Sequence, residues 1–272
     1  MLKTMTTPIV RDYDDDLSAV PRHWLGGNVA ATAISNGINM LFPHGERFFV
    51  RSVNHFIDRV KTPELKRQVR AFFQQEGRHA SAHDDFNEVL RQQGFEIDAF
   101  LDAYQKISLW IEKRVPAKLN LAGTAAAEHF TAILADGAFT QGVLDELDPK
   151  MKRLLAWHAA EEIEHKAVAY DVLQEVDPSY LLRVAGLVYA TTLLGGFWLW
   201  ATIVLAGQEK LTPATFFRNL GQERNRNPVL RRVFLTGIRQ YVGRKFHPRD
   251  NANEHIAEQW FAANGLAMPS AA

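Results

Sequence analysis

Apolar residues along this chain recur at intervals of three and four, the spacing that lines one face of an α-helix. No stretch alternates as a strand would, and no two-residue hairpin signal occurs. The pattern predicts a helix over residues 28–42, then a second over 46–60 restarted by Pro43. Thr62-Pro63-Glu64 reads as a helix start, with a capping hydroxyl, proline at the first helical position and an acid in the first turn. That third helix runs to about Gln93 and stops at Gly94. Further helices are predicted over 95–115, ended by Pro116, over 117–142, and from Asp148-Pro149 to about Val176.

Beyond Pro178 the pattern loses its polar face. Residues 184–206 carry no formal charge over 23 positions, framed by Arg183 and by Gln208-Glu209-Lys210. A helix of that length spans roughly 34 Å at about 1.5 Å per residue, enough to cross a bilayer. Three readings fit: a helix buried against the rest of the protein or in a homodimer interface, a membrane-embedded or interfacial anchor, and a true span. A single span conflicts with the basic stretch that follows (Arg218, Arg224, Arg226, Arg231, Arg232, Arg239, Arg244, Lys245 and Arg249). That flank would put the C-terminal side in the cytoplasm and the preceding helices outside it. A short amphipathic helix over 254–263 closes the chain. The expected organisation is a helical bundle over residues 1–178 and an extension over 179–272 that packs on the bundle or on a membrane.

Composition narrows the chemistry. The 272 residues are 47% hydrophobic and 23% charged, enough for a large core. Lys plus Arg equals Asp plus Glu at 31 each, so no global charge calls for nucleic acid as a partner. With no cysteine, thiolate metal sites, iron–sulfur clusters, disulfides and cysteine nucleophiles are excluded, and any metal must be held by His, Asp and Glu. The first sixteen residues lack the basic start and apolar stretch of a secretory signal. The expected location is the cytoplasm, with peripheral attachment to the inner membrane as the variant in which residues 184–206 are an anchor. No phosphate-binding glycine loop, nucleophile elbow or His-Glu-x-x-His motif is present.

Two Glu-x-x-His pairs stand out, Glu76/His79 and Glu162/His165. Three residues along a helix bring both side chains to one face, where a carboxylate and an imidazole can share a metal ion. Each pair follows a helix carrying a Glu among apolar neighbours: Glu46 beside Phe48 and Phe49, and Glu128 after Ala125–Ala127. The separations, 46 to 76 and 128 to 162, let each helix pair form an antiparallel hairpin with its carboxylates level. Buried carboxylates need cations, which argues against reading all of this as surface pairing.

This order, Glu, Glu-x-x-His, Glu, Glu-x-x-His, resembles the ferritin-like di-iron carboxylate proteins over about residues 43–170. The resemblance implies an all-α fold built on a ferritin-like four-helix bundle, with two iron ions, or alternatively manganese or zinc. By it Glu46, Glu76, His79, Glu128, Glu162 and His165 become the metal ligands, with Glu76 and Glu162 as bridges. His83 and His158 share the ligand faces and are secondary candidates, whereas His44 and His129 point elsewhere by helical phase. Arg47, Arg78 and Glu161 are expected either to orient ligands or to make ordinary surface pairs.

The segments Pro43–Phe48, Gln75–His79 and Glu161–His165 also resemble a bacterial family described as predicted metal-dependent hydrolases. On these residues the leading expectation is a di-iron oxidase or oxygenase acting with an electron donor on a hydrophobic, acyl-chain or lipid-like molecule. The alternative is hydrolysis by a water that a metal pair activates. A third reading is non-catalytic iron binding, as in ferritin relatives.

Overall fold

The computed structural model describes residues 7–226 and 229–266, with no side chains described over 222–234. The chain is all-α, as expected; among the described residues the only β contact is an isolated bridge between Leu25 and Leu147. The helices are α1 (Val29–Asn39), α2 (Phe42–Asn54), α3 (Pro63–Gln92), α4 (Asp98–Glu112), α5 (Ala117–Thr140), α6 (Pro149–His165), α7 (Val168–Val176), α8 (Tyr180–Gln208), α9 (Pro213–Arg226), α10 (Val229–Tyr241) and α11 (Glu254–Ala263). The four helices that carry the Glu and Glu-x-x-His residues pack together: α2 lies on α3, α5 on α6, and each pair touches the other through α2–α5 and α3–α6.

Local rules account for most boundaries. Gly94 ends α3 at a φ of +85°, a conformation cheap only for glycine. Its N–H donates to Arg91 O and the Phe95 N–H to Leu90 O, closing the helix with a Schellman pair. Asp148 caps α6 by accepting from Lys150 N at 2.9 Å and Met151 N at 3.4 Å.

Three expectations need correction. Helix α2 begins at Phe42, not Glu46, because Pro43 fits inside the first turn, where no N–H partner is needed. The Thr62 hydroxyl does not cap α3; it donates to the Glu175 carboxylate instead. The helix expected from 149 to 176 breaks between α6 and α7 at Lys166-Ala167. There the buried Lys166 ammonium reaches away to Asn251 O and Asn253 Oδ1 and lies 2.9 Å from Glu254.

Helix α8, uncharged over residues 184–206, lays one face on α5 and α1. Small residues make the approach close. A Cβ placed on Gly186 would sit 2.4 Å from the Ala122 backbone carbon, and one on Gly123 would sit 2.7 Å from the Tyr189 ring. The opposite face is bare, with Leu181, Val188, Leu199 and Ile203 between 60% and 77% exposed. By length and composition α8 could cross a membrane; in the fold it is half packed. The extension continues with α10 against α5 and α11 against α6. Of the basic stretch, the side chains of Arg224, Arg226, Arg231 and Arg232 lie outside the described residues.

Candidate metal centre

Every residue singled out as a ligand or secondary candidate is buried. Glu76, His79, His83, Glu128 and His165 have no measurable exposure, and Glu46, Glu162 and His158 have 2%, 4% and 5%. Helical phase explains the convergence: Glu76, His79 and His83 line one stripe of α3, and His158, Glu162 and His165 line one stripe of α6. Between them α2 contributes Glu46 and α5 contributes Glu128 from a run of alanines that leaves room for the carboxylate.

Three groups of donor atoms form, each within 4.8 Å of one another: Glu76–Glu128–His165, His79–His158–Glu162 and Glu46–His83–His158. The geometry between the groups is that of atoms facing a common point. His165 Nε2 lies 3.2 Å from Glu76, 3.3 Å from Glu128 and 3.5 Å from Glu162, yet makes no well-directed hydrogen bond. His79 Nδ1 sits 3.8 Å from both Glu76 and Glu162 and is likewise unpartnered. Both carboxylate oxygens of Glu46, Glu76 and Glu128 lack a hydrogen-bond partner.

Left this way the cluster is costly. Buried carboxylates without partners cost several kcal/mol each. Among the described residues the only basic groups within 4 Å of Glu46, Glu76, Glu128 and Glu162 are imidazoles, and Glu162 also accepts from the Thr131 hydroxyl. Their protonation shows the strain. Burial, with the other carboxylates, holds Glu46 and Glu128 well above the usual carboxylate range. Burial also raises Glu76, against the pull of His165. Burial would neutralise His165, but Glu162 and Glu128 outweigh it and hold the imidazolium well above its usual range. Glu162 is the converse: burial opposes its charge, yet His165 and His158 keep it well below.

Two divalent cations would balance four carboxylates and satisfy each orphaned donor atom. The residues fit such a pair. The 3.2 and 3.3 Å separations of His165 Nε2 from Glu76 and Glu128 suit donors on one ion with bonds of about 2 Å.

The far nitrogens of the imidazoles are fixed from behind. His79 Nε2 lies 3.0 Å from Glu161 Oε2, and His165 Nδ1 lies 2.9 Å from Gln75 Oε1. The Gln75 amide nitrogen in turn donates to Glu164 and to Ile9 O. Arg11, 8% exposed, grips both Glu164 oxygens at 2.9 Å and passes 3.6 Å from Glu161. Its Nε donates to Leu266 O while its guanidinium lies over the Phe261 ring. The N-terminal segment thus straps the backs of both histidines to α11. Partners of this kind set the tautomer and aim the lone pair at a metal.

Of the three residues expected to orient ligands or pair on the surface, Glu161 backs His79. Arg47 and Arg78 make exposed pairs with Asp84 and Asp12. His129 and His44 lie off the cluster, as phase predicts: His129 Nε2 meets Gly237 O, and His44 packs edge-on to Tyr104. Sequence reasoning missed Arg11, Gln75, Glu164 and Asn39. The doublets Gln75-Glu76 and Glu161-Glu162 were the available signal, since each places a polar residue directly behind a ligand.

The sequence profile of a family described as "predicted metal-dependent hydrolase" matches residues 9–252. The chain belongs to this family. No curated protein and no solved structure matches it. Within the metal-dependent hydrolase family the buried Glu/His cluster is the part of this chain suited to hold the metal.

Proposed function

We propose that the protein is a metal-dependent hydrolase in which Glu46, Glu76, His79, Glu128, Glu162 and His165 hold two divalent ions, with His83 and His158 beside them. The observation that carries this reading is the set of buried, unpartnered donor atoms on Glu46, Glu76, Glu128, His79 and His165, which fall within three neighbouring groups of possible metal donors. Bound there, the ions would supply a water acidified toward neutral pH as nucleophile or, if they are iron, redox chemistry with O₂.

The chain's own residues have separable tasks. Glu161 and Gln75 orient the two imidazoles. His158 stands between Glu162 and His83, at 2.9 Å and 2.6 Å, placed to take a proton from the centre and pass it outward. Phe42 packs on both of those rings, and Phe72 packs edge-on to His165, so bulk water is kept from the centre.

On the sequence alone oxidation stood ahead of hydrolysis; the family description supports hydrolysis and adds nothing for oxidation. One observation still favours the second reading: a carboxylate-rich, thiolate-free donor set is the kind used by di-iron and di-manganese proteins. The test is turnover of carboxylic and phosphoric esters by protein loaded with zinc, manganese or iron, run beside an oxygen electrode. Hydrolysis abolished by chelation, without O₂ uptake, supports the proposal. Metal-dependent O₂ consumption with no hydrolysis of any ester would replace it with oxidation.

A further inference from the structure

A cavity of about 380 Å³ reaches the cluster at Glu162 and His158. Its inner end is polar, bordered by Glu162, His158, Thr131 and Asn39, and nearly all of its remaining wall is aliphatic or aromatic, contributed by α1, α5, α6 and α8. The volume lies in the range of small-molecule sites and equals about a dozen waters at roughly 30 Å³ each. At its rim stand Thr191 and Gly195, both exposed on α8.

The polar end contains an unfilled hydrogen bond. Asn39 is 2% exposed, and its Oδ1 lies 2.6 Å from His83 Nδ1, but its amide nitrogen has no partner. The chain of contacts Glu162–His158–His83–Asn39 explains why. With the His158 Nε2 lone pair turned to the centre, Nδ1–H donates to His83 Nε2 and His83 Nδ1–H donates to Asn39 Oδ1. The two Asn39 N–H donors are then left over at the cavity wall. A buried donor without an acceptor costs about 1–3 kcal/mol, which a ligand oxygen would recover.

We propose that this cavity binds one aliphatic chain of roughly a dozen carbons, with a carbonyl or carboxylate end held by the Asn39 amide next to Glu162 and His158. The chemistry that would follow rests on the hydrolase reading. So does the direction of the Asn39 N–H donors, which follows from the His158 lone pair turned to the centre. The fit of an aliphatic chain to the cavity does not. A single chain is the occupant that fits. Apart from the hydroxyls of Ser35 and Thr191 the polar groups lie at the inner end, and Thr191 and Gly195 share by helical phase the bare face of α8 that carries Val188 and Leu199.

The test is a fluorescence titration of the full-length protein with cis-parinaric acid, followed by displacement with dodecanoic acid and its methyl ester. It is run on protein as purified and after removal of metal by chelation. Saturable binding of one probe per chain is expected. Ala138→Trp and Ala159→Phe, which fill the cavity, should each weaken it at least about tenfold. Asn39→Leu should weaken the acid and ester about fivefold to tenfold while leaving the uncharged hydrocarbon probe diphenylhexatriene unchanged. Only variants with the wild-type helical spectrum and a cooperative melt are scored. No saturable binding, or binding indifferent to both cavity-filling variants, overturns the proposal. So does binding lost only in Leu199→Glu, which would place the probe on the outer face of α8 or at a contact between copies. Chain binding by protein that never holds metal supports the pocket while sinking the hydrolase reading. Metal-loaded protein that binds no chain sinks the pocket alone.

Discussion

The strapped side of the centre and its cavity side are built from the same residue types and treat them differently. Behind His79 and His165, each far imidazole nitrogen meets a side chain, and those side chains meet Arg11, Ile9 O or each other. On the cavity side the chain of contacts ends at Asn39 with an amide nitrogen unpartnered, against a wall of apolar carbon. One side spends its hydrogen bonds on holding ligand geometry. The other keeps a donor in reserve and excludes water by shape. Under the proposed function the first side would hold the metal and the second would admit the substrate.

Removing metal should have the largest effect on stability. Binding at a hundred times the dissociation constant contributes about 2.7 kcal/mol per ion. For a chain of this size two ions correspond to a Tm shift on the order of 10 °C. Calorimetry of chelated and reloaded protein measures it, and an unchanged Tm would contradict the strained, unpartnered carboxylates described above.

Arg11→Ala strikes the strapped side alone. It leaves Glu164 and Glu161 without their cation, at an expected cost of about 3 kcal/mol by denaturant titration. Gln75→Leu and Glu161→Gln should each weaken metal binding about tenfold to a hundredfold. Asn39→Leu, on the cavity side, should leave metal affinity within about twofold. If Asn39→Leu loosened metal as much as Gln75→Leu does, the division into two sides would fail.

The smallest effect is a pH slope in the metal-free protein. Above pH 6.5 the unfolded chain has released its carboxyl protons and holds its histidines neutral. In the fold burial raises Glu46, Glu76 and Glu128, and the carboxylates Glu162 and Glu128 outweigh burial to raise His165. Burial lifts Glu161 to about 8 despite Arg11, so Glu161 holds a proton in this range that the unfolded chain has lost. His79 and His83, lowered by burial, are neutral in both states there, and Glu162 is ionised in both. The folded state therefore binds more protons, and stability should fall from pH 6.5 to 8.5, the Glu161 proton contributing at most about 1.4 kcal/mol per pH unit and less as the pH passes 8. Metal-loaded protein should show a smaller fall, because binding requires the ligand carboxylates and imidazoles to be free of protons.

The cluster was legible in the sequence because its signal is periodic: Glu76/His79 and Glu162/His165 sit at helical spacing, and Glu46 and Glu128 precede them at matching distances. His83 and His158 followed from the same phase, one turn further along. The strap was not legible, since Arg11 reaches Glu164 across 153 positions and nothing in the first sixteen residues has a period. Asn39 is a single polar residue at the end of α1, and its meaning depends on which nitrogen His83 turns toward it. The break at Lys166 escaped notice for a similar reason: the partners of its ammonium, Asn251 O and Asn253 Oδ1, lie more than eighty residues away. For α8 the sequence showed a long uncharged helix but not which face is covered, because the small residues that seat it on α5 are dispersed along two elements.

The central claim is that these buried carboxylates and imidazoles hold metal. It is tested most directly by elemental mass spectrometry of full-length protein from cells supplied with iron, manganese and zinc, comparing wild type with Glu76→Ala and His165→Ala. The account predicts about two ions per chain in wild type and loss of most of that metal in both variants, with the helical spectrum retained. Wild-type protein without metal, or a metal content that neither substitution changes, would contradict it.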